Sequence, residues 1–231
     1  LVLTVDVPVS GYRERDVRNG FRLPFRPSPA MLFNLALHPA WLMRFLASGM
    51  PAFVNLAEEE GADTLKLQAA LLSREMDRSL SWETIAWLRR LWDRPLLIKG
   101  ILHPEDAAKA CTEGVDGLIV SNHGGRQLDG AISSIGALNG VLQAVDGRIP
   151  VFADSGFRSG LDVAKALALG AKGVFLGRPL LYGLAAGGEQ GATAVLGLIA
   201  TELERAMTLA GAHEPAALSP EILRTAALHL H

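Results

Sequence analysis

Residues 150–179 read PVFADSGFRSGLDVAKALALGAKGVFLGRP. The apolar run Pro150 to Ala153 stops at Asp154, and Ser159 then opens a stretch with apolar residues at helical spacing that closes at Gly170. A second apolar run, Gly173 to Leu176, stops at Gly177 and Arg178. A serine at the start and a glycine at the stop are the usual ends of a helix, so the stretch is a strand, a helix and a second strand. A helical crossover of this length joins parallel strands. The same rhythm continues toward the N-terminus, with apolar runs at Leu96–Lys99 and Gly117–Ser121 and helices predicted over 104–114 and 133–146. Leu1 to Val7 reads as an earlier strand, and Ser81 to Asp93 as an amphipathic helix carrying Trp82, Ile85 and Leu88 on one face. Strands that are apolar throughout are covered on both faces, which places the chain in the α/β class. The predicted architecture is a TIM (β/α)8 barrel in which only about the last five of the eight strands are present.

Composition narrows the function. Of 231 residues, 49% are hydrophobic and 20% charged, and the formal net charge is −2, so no basic excess exists to hold a nucleic acid. The single cysteine, Cys111, can neither close an internal disulfide nor build a zinc cluster, and no metal site is expected. A reducing, cytoplasmic location follows. The chain opens on an apolar run without an initiator Met, which suggests a fragment.

Residues 20–60 break the rhythm with Pro24, Pro27, Pro29, Pro39 and Pro51 inside a strongly apolar stretch and read as an insertion after the first strand. Asn34, His38, Pro39 and Arg44 interrupt residues 30–56, so a run of about 20 apolar residues long enough to span a bilayer is not available. Composition fits a face buried in a membrane interface or partner subunit and a lid packed on its own barrel equally well.

Each predicted strand ends in a polar residue: Asp6, Lys99, Ser121 to His123, Asp154, and Gly177 with Arg178. In a parallel barrel these ends share one face, where active sites of this architecture are built. Glycines at strand ends admit an anion to backbone N–H groups, and helix N-termini add their positive end, so Asp154 to Arg158 and Gly177 to Arg178 read as a phosphate cradle. Arg158 and Arg178 supply the guanidinium groups. The segment SNHGGRQLD, Ser121 to Asp129, sets His123 at a strand end as a proton acceptor and Arg126 as a clamp for a carboxylate. Lys99 closes an apolar strand and needs an anionic partner, as a Schiff-base lysine or a counter-charge to a cofactor. Asp6 can orient a protonated His123 if their strand ends meet, and a structural salt bridge from Asp6 to Arg13 is the plainer alternative.

Together, Thr4 and Asp6, Arg13, LLIKG ending at Gly100, SNHGGRQLD and the cradle sequence resemble the FMN-dependent 2-hydroxy acid dehydrogenase and oxidase family over almost the whole chain. GYRERDVRNG, SGMP at Ser48 to Pro51, QAALLSREMD from Gln68 and WLRRLW from Trp87 are most similar to its bacterial (S)-mandelate dehydrogenase branch, which carries a membrane-attaching insertion in the same place. The resemblance implies FMN as cofactor, with Thr4, Lys99 and Ser121 at the flavin and Asp154, Gly156, Arg158, Gly177 and Arg178 at its phosphate. It implies His123 as the base, supported by Asp6, and Arg13 with Arg126 on the carboxylate of a small 2-hydroxy acid. Electrons would pass to a quinone or respiratory acceptor if the insertion meets the cytoplasmic face of the inner membrane, or to oxygen, as in lactate- and glycolate-type oxidases, if it does not. A homo-oligomer is expected.

The family's second glycine after the cradle aspartate is Ser155 here, a change shared with the mandelate branch and read as neutral. The family's barrel also begins before the residues matched here, with strands that carry two active-site tyrosines, a glutamine and part of the flavin site. A chain lacking them is expected to bind FMN poorly and to be inactive alone, so a non-catalytic barrel segment is the contrasting reading. A barrel of the inosine-monophosphate dehydrogenase kind needs a loop cysteine, whereas Cys111 falls mid-helix.

Overall fold

The strand that sequence places last is the shortest in the structure, a computed structural model that describes residues 1–20, 28–48 and 78–223. Four parallel strands, β1 (Val2–Thr4), β2 (Leu97–Ile101), β3 (Gly117–Val120) and β4 (Val151–Ala153), lie side by side in chain order. The expected fifth strand is a single bridge, Val174 to Ala153, flanked by backbone hydrogen bonds from Lys172 N–H to Val151 O and from Phe175 N–H to Ala153 O. Among the described residues it has no strand on its far side, and the chain leaves into a helix at Arg178.

The register sorts the side chains into two rows. Leu3, Ile98, Leu118 and Val151 are mutual neighbours across the sheet, and so are Thr4, Lys99, Ile119 and Phe152. Because strand side chains alternate, the rows point to opposite faces. The first row joins the main core, where Leu96, Leu138, Val141 and Val145 are fully buried. The second carries Lys99 on the other face.

Helices α4 (Trp82–Leu91), α5 (Pro104–Thr112), α6 (Ser134–Val145) and α7 (Gly160–Leu169) follow the predicted ranges closely because their end signals operate as read. Pro104 occupies the first turn of α5, Ser133 accepts from Gly136 N–H, Ser159 and Asp162 form a capping box, and Gly170 takes the left-handed stop. The last helix, α8 (Arg178–Leu209), is broken at Gly187 and Gly188, where φ reaches +62°. Its two limbs double back so closely that a Cβ on Gly191 would lie 2.0 Å from Gly183 O.

The chain divides into two compact units, Leu1–Val7 with Ser79–His231 and Pro8–Arg78. The second unit contains α1 (Glu14–Arg18), α2 (Pro29–Ala36) and α3 (Pro39–Ser48). Helices α2 and α3 meet at 97° around Leu37 and His38, and no single described helix is long and apolar enough to cross a membrane. Leu32, Phe33, Leu37, Met43 and Leu46 are nonetheless each more than half exposed. Residues 21–27 and 49–60 of the expected insertion, all of SGMP but Ser48, and the whole of QAALLSREMD lie outside the described residues.

One clamp locks α4 to the sheet. Arg89 donates from Nε to Gly114 O at 3.0 Å and from Nη1 to Arg94 O at 3.0 Å, and its Nη2 pairs with Asp116. Asp116 also accepts from Leu96 N–H at 2.7 Å, and this bond, followed by the one from Arg89, holds its carboxyl below the usual carboxylate range. A depressed folded pKa contributes stability above the unfolded value of about 3.9 and loses it as pH falls through the folded pKa. The urea midpoint of Asp116→Asn should therefore lie below that of the natural protein by a constant interval from about pH 7 to about pH 5, and the interval should shrink below about pH 4.

Candidate functional site

All four strands are parallel, so their C-terminal ends deliver side chains to one edge of the sheet. After β3 the chain turns through His123–Gly125, where His123 holds φ +55° and Gly124 φ +69°. Asn122 Oδ1 caps this turn by accepting from the N–H groups of Gly124 and Gly125. Opposite it, at the end of β1, Asp6 Oδ1 lies 3.2 Å from His123 Nδ1. An ionised carboxylate only accepts, so Nδ1 carries the proton and the lone pair is left on Nε2. The second carboxylate oxygen, Oδ2, is buried without a hydrogen-bond partner among the described residues.

Asp6 reaches this place because of Gly100. The ladder between β2 and β3 shifts register between Lys99 and Ile101, and Gly100 sits at φ +110° against Asp6. A Cβ there would come within 2.7 Å of Asp6 Cβ and 2.9 Å of Asp6 N. Gln127 adds a hydrogen bond from Nε2 to Asp6 O at 3.2 Å. The roles of Gly100 and Gln127 are not visible in the motifs that contain them, since only the bulge and the folded loop bring them to Asp6.

Lys99 is 20% exposed and has the anionic partner that its position demanded: Nζ lies 3.1 Å from Asp154 Oδ2 and donates to Ser121 Oγ at 2.9 Å. Asp154, grouped from sequence with the phosphate cradle, is directed at this ammonium instead. An acceptor-only carboxylate would repel a phosphate and gains by facing a cation. Ser121 is fully buried and also accepts from His123 N–H at 3.0 Å.

A cleft of about 290 Å³ is lined by Lys99, His123, Arg126, Asp154, Gly156, Arg158, Gly177 and Arg178. Four of these are permanent cations and one is an anion, so the cleft attracts negative charge. Gly156, at φ +88°, and Gly177 would each carry a Cβ into open space, which leaves their backbone open to a ligand. Arg178 donates from Nη2 to Gly124 O at 3.0 Å, and the Arg158 guanidinium lies over the Tyr182 ring at 5.6 Å. The two helix N-termini differ from the expectation that both help. Asp162 takes the N–H groups of Arg158 and Ser159, and Glu202 Oε2 takes that of Gly160 at 2.7 Å, so the start of α7 is already neutralised. Burial raises the Asp162 pKa, but these N–H donors and the Ser159 hydroxyl outweigh it, and the carboxyl stays below its usual range. The start of α8 at Gly177 has no side-chain cap, so the open helix end in the cleft is this one.

Thr4 lies beside Lys99 in the strand register, on the same face. Arg126 lines the cleft. Arg13 belongs to the other unit, where it precedes α1 and pairs with Asp16 at 3.7 Å. Among the described residues no group of three metal-ligating side chains occurs.

A parallel βα sheet with a cationic cleft and a His–Asp contact at its C-terminal edge defines an α/β protein whose strand ends form a site suited to an anion. The description of FMN-dependent dehydrogenases matches residues 1–225, and the chain belongs to that family. It is 49% identical over 224 residues to the (S)-mandelate dehydrogenase of Pseudomonas putida, covering 97% of this chain and 56% of that protein. It is 45% identical to the L-lactate dehydrogenase of Pectobacterium atrosepticum, covering 96% and 58%. Among solved structures, a monotopic membrane (S)-mandelate dehydrogenase superposes with a TM-score of 0.93 at 47% identity, covering 98% of this chain and 60% of that one. A mandelate oxidase superposes with a TM-score of 0.69 at 38% identity, covering 94% and 53%. The chain thus spans somewhat more than half the length of the relatives it matches. The family's cofactor fits what the site offers: a guanidinium-lined cradle with open glycines for a phosphate, and an ammonium beyond it.

Gly100→Ala should cost about 2–4 kcal/mol, because the new side chain meets backbone and must also hold a left-handed φ. Denaturant unfolding measures the loss, and a change within about 0.5 kcal/mol would mean that the bulge does not hold Asp6 as described.

Proposed function

We propose that the protein to which this chain contributes oxidises an (S)-2-hydroxy acid to the 2-oxo acid with FMN, and that an aryl acid such as mandelate is preferred. The observation that carries the reading is the His123–Asp6 contact at the mouth of a cationic cleft. Oxidation of the 2-hydroxy acid releases two electrons and two protons; FMN, when bound, is the group that accepts the electron pair. His123 Nε2 takes a substrate proton, and Asp6 stabilises the resulting imidazolium through Nδ1. Arg126 holds the substrate carboxylate, the task that the family resemblance implies for Arg13 as well. Arg158 and Arg178, with the backbone at Gly156 and Gly177, hold the cofactor phosphate. Lys99, fixed by Asp154 and Ser121, presents positive charge where negative charge develops, and Thr4 and Ser121 flank it.

We further assign residues 20–60 to docking on the cytoplasmic face of a membrane, with a quinone as electron acceptor. The exposed apolar side chains of α2 and α3 support this over an oxygen-using oxidase. The similarity to a monotopic membrane (S)-mandelate dehydrogenase points the same way.

The test is the absorption spectrum of the full-length protein before and after anaerobic addition of (S)-mandelate or L-lactate. Mandelate should bleach the flavin faster, and a preference for lactate would overturn the assigned substrate. His123→Gln should lower kcat by about 10²–10⁴-fold while the flavin stays bound. Recovery of the protein wholly in the soluble fraction at both low and high salt would remove the membrane assignment.

A further inference from the structure

Ser155 stands where the family carries a glycine, and glycine is the residue its backbone asks for, since φ is +72°. The strain is retained together with a set of bonds that glycine could not make. Ser155 Oγ accepts from Gly124 N–H at 2.8 Å and donates to Asp154 Oδ1 at 2.8 Å. Ser121 Oγ lies 3.5 Å away on its third side.

The direction of every bond in this cluster is fixed by what its ends can do. Backbone N–H groups and the Lys99 ammonium only donate, and an ionised Asp154 only accepts. Ser121 Oγ already accepts from Lys99 Nζ and His123 N–H, so its own proton is left for Ser155. Ser155 in turn has one proton, and it goes to Asp154 Oδ1. The chain therefore runs one way, from the His123 turn through Ser155 into Asp154, whose other oxygen holds Lys99. Two non-glycine residues at positive φ, His123 and Ser155, are joined through the Gly124 amide. Such strain persists where surrounding bonds over-determine it.

We propose that Ser155 is a positioning residue that couples the turn carrying His123 to the Lys99–Asp154 ion pair. It sets where the base stands and how much of the Lys99 charge is turned toward the cleft. Without its hydroxyl, Asp154 Oδ1 loses a donor and draws Lys99 closer, and the Gly124 amide loses the shorter of its two acceptors, keeping only Asn122 Oδ1 at 3.1 Å. The coupling itself is independent of the proposed reaction; only its effect on flavin rests on that reading.

The experiment compares full-length natural protein with Ser155→Gly, which removes the hydroxyl while relieving the backbone, and Ser155→Ala, which removes it and keeps the strain. Amide exchange at Gly124, held then by Asn122 Oδ1 alone, should accelerate several-fold in both variants, with thermal stability unchanged or raised in Ser155→Gly. In the FMN-loaded protein, sulfite, which binds flavin more tightly when positive charge faces the ring, should bind several-fold more weakly to Ser155→Gly. Its kcat for (S)-mandelate should fall about tenfold with KM changed less than twofold. Unchanged Gly124 exchange in Ser155→Gly would overturn the coupling whatever the enzyme does. Accelerated exchange with unchanged sulfite affinity and kcat would overturn the positioning role. If the natural protein takes up no FMN and oxidises no hydroxy acid, the functional reading falls, and the Gly124 measurement still decides the coupling.

Discussion

An ammonium at the end of an apolar strand is the constraint around which this structure is arranged. Lys99 sits on the sheet face opposite the main core, mostly out of water, and a cation so placed is costly unless acceptors surround it. Its acceptors come from the ends of the next two strands, Ser121 after β3 and Asp154 after β4. They reach it only if the three strands run parallel in the observed register, so the same pairing that satisfies the charge aligns the strand ends. Fold and site are therefore specified by one set of bonds, and shifting either neighbouring strand by a single residue would turn its row of side chains to the wrong face.

Around that fixed charge the remaining groups divide their work by valence. Groups that only donate, the guanidinium groups of Arg158 and Arg178 and the open start of α8, surround the part of the cleft suited to an anion. Groups that only accept, Asp6 and Asp154, stand behind His123 and Lys99. Among the described residues Asp154 is paired with Lys99 and Asp6 with His123, and neither with the two guanidinium groups, whose charge stays available to an anion.

Much of the fold was legible because its signals are local. Ser133, Ser159 and Gly170 each begin or end a helix through bonds to residues three or four positions away, and Pro104 begins one through its fixed φ. Apolar runs located the second to fourth strands within a residue or two, whereas the first, read as Leu1 to Val7, ends three residues earlier at Thr4. The fifth strand was overestimated because an apolar run reports burial, whereas strand length depends on a partner that sequence does not display. In the site, a meeting of Asp6 with His123 followed from their places at strand ends if those ends came together, and the structure brings them to 3.2 Å although 117 residues separate them. What stayed hidden was the work of Gly100, Gln127 and Ser155, which depends on bonds and contacts made at right angles to the chain. The neutral start of α7 was equally hidden, because Glu202 arrives from the far limb of α8.

The doubled-back helix α8 has a mechanical meaning. An unbroken helix of 32 residues would be about 48 Å long and would carry its far end well beyond the sheet. Bent at Gly187 and Gly188, it returns so that Leu203 and Ile199 lie against Gly160, while Arg178 at its other end reaches into the cleft. The near-contact of Gly183 and Gly191 makes the two limbs a stiff fork, with one prong gripping the base of α7 and the other carrying a cradle arginine. Any side chain added at Gly183 or Gly191 would meet the backbone of the opposite limb and force the prongs apart.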